Sequence, residues 1–260
     1  MAQDIALITG ASSGIGEALA HRLAREGRHV ALVARRAERL QTLAARITGA
    51  YGVEAHVLAA DLARPDAGLT LAEEIERRGL VVDWLVNNAA FGTQGRFHRI
   101  PIERELEQIR LNVMALVELT GRFLPQMVGR KRGAVINVAS LAAFSPGPYM
   151  ATYCATKAFV LSFTEALAAE VSGTGVHVMV VCPGFTRTEF QAKAEVDVDG
   201  IPEFAWMSAE EVADQTVRAV GQRTVLVNGT LNSLTASAMR ILPSAVTSRV
   251  IGGIMRAREG

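Results

Sequence analysis

The chain is poor in several features that would each have fixed its reading. Two cysteines in 260 residues, Cys154 and Cys182, are too few for a disulfide framework. Their apolar surroundings predict two reduced, buried thiols. Positive and negative side chains nearly cancel, leaving a formal net charge of +1, so no attraction to nucleic acid follows from charge. No run approaches the roughly 20 continuous apolar residues of a membrane-spanning helix. The N-terminus lacks the basic-then-apolar order of a signal peptide and reads as a first strand, which predicts a cytoplasmic protein. His21, His29, His56, His98 and His177 show no metal-ligand spacing and predict no metal site. With no internal repeat, linker or low-complexity stretch, residues 1–260 read as a single domain.

Half the residues are hydrophobic, enough for one well-buried core at this length. Short β-branched apolar runs at 5–9, 30–33, 55–59, 84–86, 134–138, 176–181 and 224–227 read as strands. They are continuous rather than alternating, as in a parallel sheet covered on both faces. Helical patterns lie between them, at 15–25, 37–48, 69–78, 103–128, 151–171 and 209–222. The alternation predicts an α/β fold: a doubly wound, Rossmann-type parallel β-sheet with helices on both faces. The helical stretches 112–128 and 158–171 are apolar on more than one side. That predicts either deeper burial within the chain or a subunit interface, hence a homodimer or homotetramer.

Thr9-Gly10-Ala-Ser12-Ser13-Gly14-Ile15-Gly16 joins the first strand to the first helix. Glycines allow a tight turn and close backbone approach to a pyrophosphate, and the helix N-terminus supplies free N–H groups for it. Dinucleotide folds place a carboxylate for the ribose 2′-OH at the end of the second strand. Here that stretch reads Val33-Ala34-Arg35-Arg36. A carboxylate would repel a 2′-phosphate and an arginine would pair with it, so NADP(H) is expected over NAD(H). Cations are disfavoured at a helix start, which also argues that the arginines serve a ligand.

Tyr153 and Lys157 are four residues apart on one helix face, and Ser140 ends a strand 13 positions upstream. With this set in place the sequence resembles the short-chain dehydrogenase/reductase family. The resemblance rests on the glycine segment, Asp61-Leu62, Asn87-Asn88-Ala89, Asn112, Ser140, Tyr153, Lys157 and Pro183-Gly184-Phe185-Thr186-Arg187-Thr188, and it runs from residue 9 to residue 188. It implies an enzyme acting on CH–OH or C=O groups with a nicotinamide cofactor. Tyr153 is then the general acid/base, its pKa lowered by Lys157 and the oxidised nicotinamide. Lys157 also holds the nicotinamide ribose, Ser140 orients the substrate oxygen, and Asn112 holds a water that relays protons. Asp61 is implied at the adenine, Thr186 and Thr188 at the carboxamide, and Arg35 at the basic position of NADP-preferring members. One position departs from the pattern, Ala90 standing where the family carries glycine, which strains the backbone if the site needs positive φ. A non-catalytic NADP(H)-sensing protein is the competing function, and the presence of both Tyr153 and Lys157 argues against it.

Residues 189–207 are expected to form a substrate lid. Phe190, Val196, Ile201, Phe204, Trp206 and Met207 suit a hydrophobic small-molecule carbonyl or alcohol. Glu189, Glu195, Asp197, Asp199 and Glu203 are expected to discourage anionic substrates. Residues 230–258 carry an apolar stripe (Leu234, Ala238, Ile241, Leu242, Val246, Val250, Ile251, Ile254) that Pro243 should divide. Arg240, Arg249, Arg256 and Arg258 decorate it against the single acid Glu259. Packing beside the lid is the first expectation for this segment, a subunit interface the second, and a membrane surface the third.

Overall fold

Seven apolar runs form seven strands: β1 (Gln3–Thr9), β2 (His29–Ala34), β3 (Ala55–Ala59), β4 (Leu80–Asn87), β5 (Gly133–Val138), β6 (Val176–Cys182) and β7 (Val225–Val227). In the computed structural model, which describes residues 3–194 and 200–257 (side chains at 193 and 254–257 excepted), they make one sheet in the order β3-β2-β1-β4-β5-β6-β7. Every neighbouring pair is parallel. The fold is the doubly wound α/β architecture that the strand–helix alternation predicts.

Side chains alternate across each strand, and β1 shows the result. Ala6 and Ile8 enter a cluster with Leu19 and Leu23 of α1 (Gly14–Arg25), Leu40 and Ile47 of α2 (Ala37–Tyr51), and Val217 of a helix (Ala209–Ala219) numbered below as α8. Ile5 and Leu7 point the other way, toward Leu71 and Ile75 of α3 (Ala67–Arg77). Leu119, Phe123 and Met127 complete that second cluster. Both faces are covered, which is why the strands need no polar side.

The stretch expected as one helix over 103–128 is three pieces. α4 (Ile102–Ile109) runs into a π-helical segment (Arg110–Ala115) and then α5 (Leu116–Arg130). A π turn carries one more residue than an α turn and recurs at functional sites. Asn112 lies in it, buried. Its Oδ1 accepts from Phe91 N at 3.2 Å, and its Nδ2 donates to Phe91 O at 2.9 Å and Thr156 Oγ1 at 3.1 Å. Hydrophobic periodicity cannot register a one-residue bulge whose cause is a polar clasp to a loop 21 positions away.

The remaining helices are α6 (Ala151–Glu170), the short α7 (Phe190–Lys193), α8, α9 (Thr230–Ile241) and α10 (Ser244–Ala257). Pro243 separates the last two, as expected. Among the described residues no helix is long and apolar enough to cross a membrane.

The winding reverses direction between β1 and β4, and ligands bind at the carboxyl ends of strands where this happens. Thr9, 2 % exposed, ties the two strand ends together. Its hydroxyl accepts from Asn88 N at 2.9 Å and Ala89 N at 3.0 Å and donates to Val86 O at 3.2 Å. Thr9→Val keeps the shape and removes all three bonds. Asn88 N and Val86 O keep each other at 3.2 Å, so Ala89 N is the backbone group left without its partner. One buried unpaired group costs about 1–3 kcal/mol, and a loss of that size in urea unfolding is expected. An unchanged midpoint would show that the tie carries no stability.

Candidate active site

The loop after β1 turns twice through left-handed conformations, at Gly10 (φ 67°) and Gly14 (φ 59°), which glycine adopts at no steric cost. Gly16 has ordinary φ but no room, because a Cβ there would overlap the Gly10 carbonyl and the Asn88 side-chain amide. The close approach of helix to loop delivers the N-terminus of α1 to the cavity, where Gly10, Ser12, Ser13, Gly14 and Ile15 form one wall. This cradle of small residues around free helix N–H groups fits a pyrophosphate.

The cavity measures about 810 Å³. It also gathers Arg35 and Arg36 after β2, Asp61 and Leu62 after β3, and Asn88 and Ala89 after β4. Ser140 after β5, Tyr153 and Lys157 of α6, and Pro183, Gly184, Thr186 and Thr188 after β6 complete the set. Of the residues singled out in the sequence, Gly16 and Asn112 stand behind the wall rather than in it. Ala90 has no positive φ, so the methyl group that replaces the family glycine puts no strain on the backbone.

Ser140 caps a 3₁₀ turn (Leu141–Phe144), its Oγ accepting from Ala142 N at 3.1 Å. Ser140 and Tyr153 line the same cavity, and the Tyr153 ring lies 5.3 Å from that of Phe190. Burial pushes the Tyr153 phenol above its ordinary value, and the nearby Ser140 side chain works against that rise. Lys157, 3 % exposed, donates from Nζ to Val138 O at 2.8 Å. Burial drives its pKa from 10.5 down to about 8. The two thiols are inert in this setting: burial pushes Cys154 up to about 11 and Cys182 up to about 12.

Arg36 lies across the phosphate loop, donating to the Ser12 and Ser13 hydroxyls and to Glu189 Oε2 at 2.9 Å. Arg39 also reaches Glu189. Arg35 is 67 % exposed, with Glu107 3.7 Å from its guanidinium. Glu189 and Glu203 therefore do not present bare negative charge, since Arg36 and Arg39 meet the first and Arg187 the second. The expected electrostatic deterrent to anions is withdrawn for these two acids. Val196 and the acids at 195, 197 and 199 lie outside the described residues.

The lid leaves and returns beside β6. Thr186 bridges Met207, Met207 N donates to Phe185 O at 2.9 Å, and Arg187 N to Met207 O at 3.0 Å. Phe190, Ile201 and Pro202 face the cavity, whereas Phe204 is 78 % exposed and faces away. Thr235 and Met239 of α9 and Ile251 of α10 line the cavity too. Leu234, Ile241 and Val250 remain exposed. The side chains of Ile254 and Arg256, and residues Arg258 and Glu259, lie outside the described set. Sequence reading passed over Arg39, Thr156 and Met239. A helix arginine, a helix threonine and a methionine in an apolar stripe carry no signal until a fold sets them against a partner.

Residues 4–199 match the family model described as short chain dehydrogenase. A curated relative, the 7beta-hydroxysteroid dehydrogenase of Collinsella aerofaciens, is 33 % identical over 229 residues, covering 87 % of this chain and 86 % of the relative. A solved 7beta-hydroxysteroid dehydrogenase superposes with TM-score 0.88 at 30 % identity over 96 % of both chains. A short-chain dehydrogenase from Sphingobium yanoikuyae in complex with NADPH gives TM-score 0.78 at 35 % identity, over 93 % of this chain and 96 % of that one.

Lys157 gives a pH test. Its folded pKa lies below the unfolded one, so between about pH 8 and 10.5 the unfolded chain holds more protons and stability rises with pH. Below pH 8 both states are protonated and the slope vanishes. The full difference corresponds to roughly 3 kcal/mol. Above pH 9 the buried thiols act oppositely, so the comparison is with Lys157→Met: wild-type stability relative to the variant should climb through this window in urea titrations. A flat difference would mean that the ammonium is solvated.

Proposed function

The chain belongs to the short chain dehydrogenase family, and from that premise we propose that it is an NADP(H)-dependent reductase of bulky hydrophobic ketones or secondary alcohols with Tyr153 as general acid/base. Its relatives make it a nicotinamide-dependent oxidoreductase acting on a small molecule; the cofactor preference, the substrate and the residue roles are the proposal. The carrying observation is that Ser140, Tyr153 and Lys157 meet in one cavity with the glycine loop.

The bound cofactor supplies the hydride. A buried, high-pKa phenol keeps its proton at neutral pH, so Tyr153 is protonated for the acid step of reduction and gives that proton to the carbonyl oxygen. Ser140 orients the same oxygen. The Lys157 ammonium, close to α6's tyrosine, stabilises the resulting phenolate and holds the nicotinamide ribose. Asn112 keeps the segment beginning at Phe91 in place and a water beside it returns the proton. Gly10, Ser12, Ser13, Gly14 and Ile15 cradle the phosphates, with Gly16 behind them. Asp61 and Leu62 hold the adenine end, with Asn88 and Ala89 along the middle. Pro183, Gly184, Thr186 and Thr188 flank the carboxamide.

Two observations support the substrate class. Met150, Phe190, Ile201, Pro202, Met239 and Ile251 make an apolar lining beside Ser140 and Tyr153 in the cavity, the kind of surface that takes a hydrophobic small molecule. The similarity to hydroxysteroid dehydrogenases supports a ring ketone or alcohol of comparable bulk. The exposed apolar groove between Ile109, Val113, Ala155 and Phe159, with Met114 60 % exposed beside it, supports a second copy of this chain as partner. A cytoplasmic location is part of the same proposal.

A panel of bulky and small ketones followed at the nicotinamide absorbance tests the proposal. Tyr153→Phe should fold, bind cofactor and lose about 10²–10⁴ in kcat on the best bulky ketone. Near-normal turnover would remove Tyr153 from the chemistry. Arg35→Leu with Ala34→Asp should move kcat/KM from NADPH toward NADH by about tenfold or more. An unchanged ratio would exclude Arg35 from the 2′-phosphate site.

A further inference from the structure

One set of charged contacts at this site is not needed for the chemistry. Glu189, the first lid residue after Thr188, receives Nη1 of Arg36 at 2.9 Å on one carboxylate oxygen and Nη1 of Arg39 at 2.5 Å on the other. Arg36 is anchored on the opposite wall. Its Nε and Nη2 donate to Ser12 Oγ at 3.2 and 2.9 Å, and Nη2 also reaches Ser12 O at 3.2 Å and Ser13 Oγ at 3.0 Å. The guanidinium thus spends two nitrogens on the phosphate loop and offers the third to the lid. Ser12, Ser13, Arg36 and Glu189 all border the cavity. The two walls also approach at Gly14, where an added Cβ would sit 2.9 Å from Thr188 Cγ2.

An isolated surface ion pair is worth little, because two mobile side chains must be ordered in water. This arrangement differs in three respects. Arg36 is only a third exposed, its orientation is set by the serines, and one carboxylate is shared by two arginines. Networks with a pre-ordered guanidinium lose less entropy per contact. The contact also has a location that matters. The cavity that Ser12, Arg36 and Glu189 border also holds Asp61, Arg35 and Tyr153.

We propose that Glu189 is a latch: its ion pairs to Arg36 and Arg39 tie the start of the segment after β6 to the phosphate loop and set the rate at which the nicotinamide cofactor leaves. The proposal rests on the cofactor-binding reading above. It assigns the two neighbouring arginines different tasks. Arg36, already engaged on both walls, serves as the hinge of the strap, and the exposed Arg35 is left to meet a 2′-phosphate. The latch must open for exchange, so it acts alike on NADPH and NADH. It is a positioning role, with Glu189 touching neither the reacting carbon nor the transferred proton.

The test is stopped-flow release of NADPH and of NADH from full-length wild type, Glu189→Gln and Arg39→Gln, with thermal unfolding of each free protein measured alongside. Loss of the carboxylate charge shared by two arginines predicts off-rates about tenfold faster or more for both cofactors in Glu189→Gln. Arg39→Gln should show a smaller rise in the same direction. Raising salt from about 0.05 to about 0.5 M should speed NADH release more in wild type than in Glu189→Gln. Unfolding temperatures that stay within a degree or two would separate a latch from a general loss of structure. Off-rates equal to wild type in both variants would overturn the latch. Tighter NADPH binding in Glu189→Gln with NADH unaffected would also overturn it, making Glu189 a competitor for the phosphate instead. Wild type that binds neither cofactor would refute the cofactor reading itself, a result distinct from either.

Discussion

The structure depends on how closely the end of β1 can approach the end of β4. These strands flank the point where the winding reverses, and the crevice exists because their loops part in opposite directions. The Thr9 hydroxyl holds them together, bonded to three backbone groups of the β4 end. Gly16 lets α1 close onto the loop, since any side chain there meets the Gly10 carbonyl. Widen this junction and the phosphate cradle, the Asn88 contacts and the path toward Tyr153 all lose their registration at once.

A second constraint fixes the helix that carries the reactive groups. α6 presents a buried polar edge to the sheet and to its neighbours, on which Thr156, Lys157 and Thr164 each find a partner. Asn137 Nδ2 donates to Thr164 Oγ1 at 2.9 Å, and Asn87 Nδ2 links Asn137 Oδ1 to Thr120 Oγ1. Thr156 receives Asn112, and Lys157 donates to Val138 O. Directional bonds of this kind specify position where apolar contacts would allow sliding. They set the rotation and height of α6, and so the placement of Tyr153 and Lys157 relative to Ser140. The same burial that needs these bonds raises the phenol's pKa and lowers the lysine's, so positioning and proton affinity share one cause.

The cavity combines a polar floor with an apolar roof. The floor is made of strand ends, rigid because the sheet beneath is buried on both faces. The roof comes from the lid and from α9 and α10, which bring Ile201, Met239 and Ile251 to one side.

Much of this was legible in the sequence. Strand and helix positions followed from apolar periodicity, because burial on both faces of a sheet leaves few alternatives for β-branched runs. The glycine loop, Arg35, Ser140, Tyr153 and Lys157 were singled out by their spacing and by resemblance to the family, and the fold brings them to one cavity. Pro243 divided the C-terminal segment because a missing N–H acts wherever it falls. Tertiary structure alone decided what depends on partners distant in the chain. The π turn at Asn112 answers a loop 21 residues away, and Ala90 proved free of strain because the backbone there avoids positive φ. Glu189 looked like a deterrent to anions until the fold set it against Arg36, 153 positions away. Local sequence determines which conformations a segment can adopt. Whether a charge is free or paired, and whether a polar side chain faces solvent or clasps a backbone, is settled only when remote segments meet.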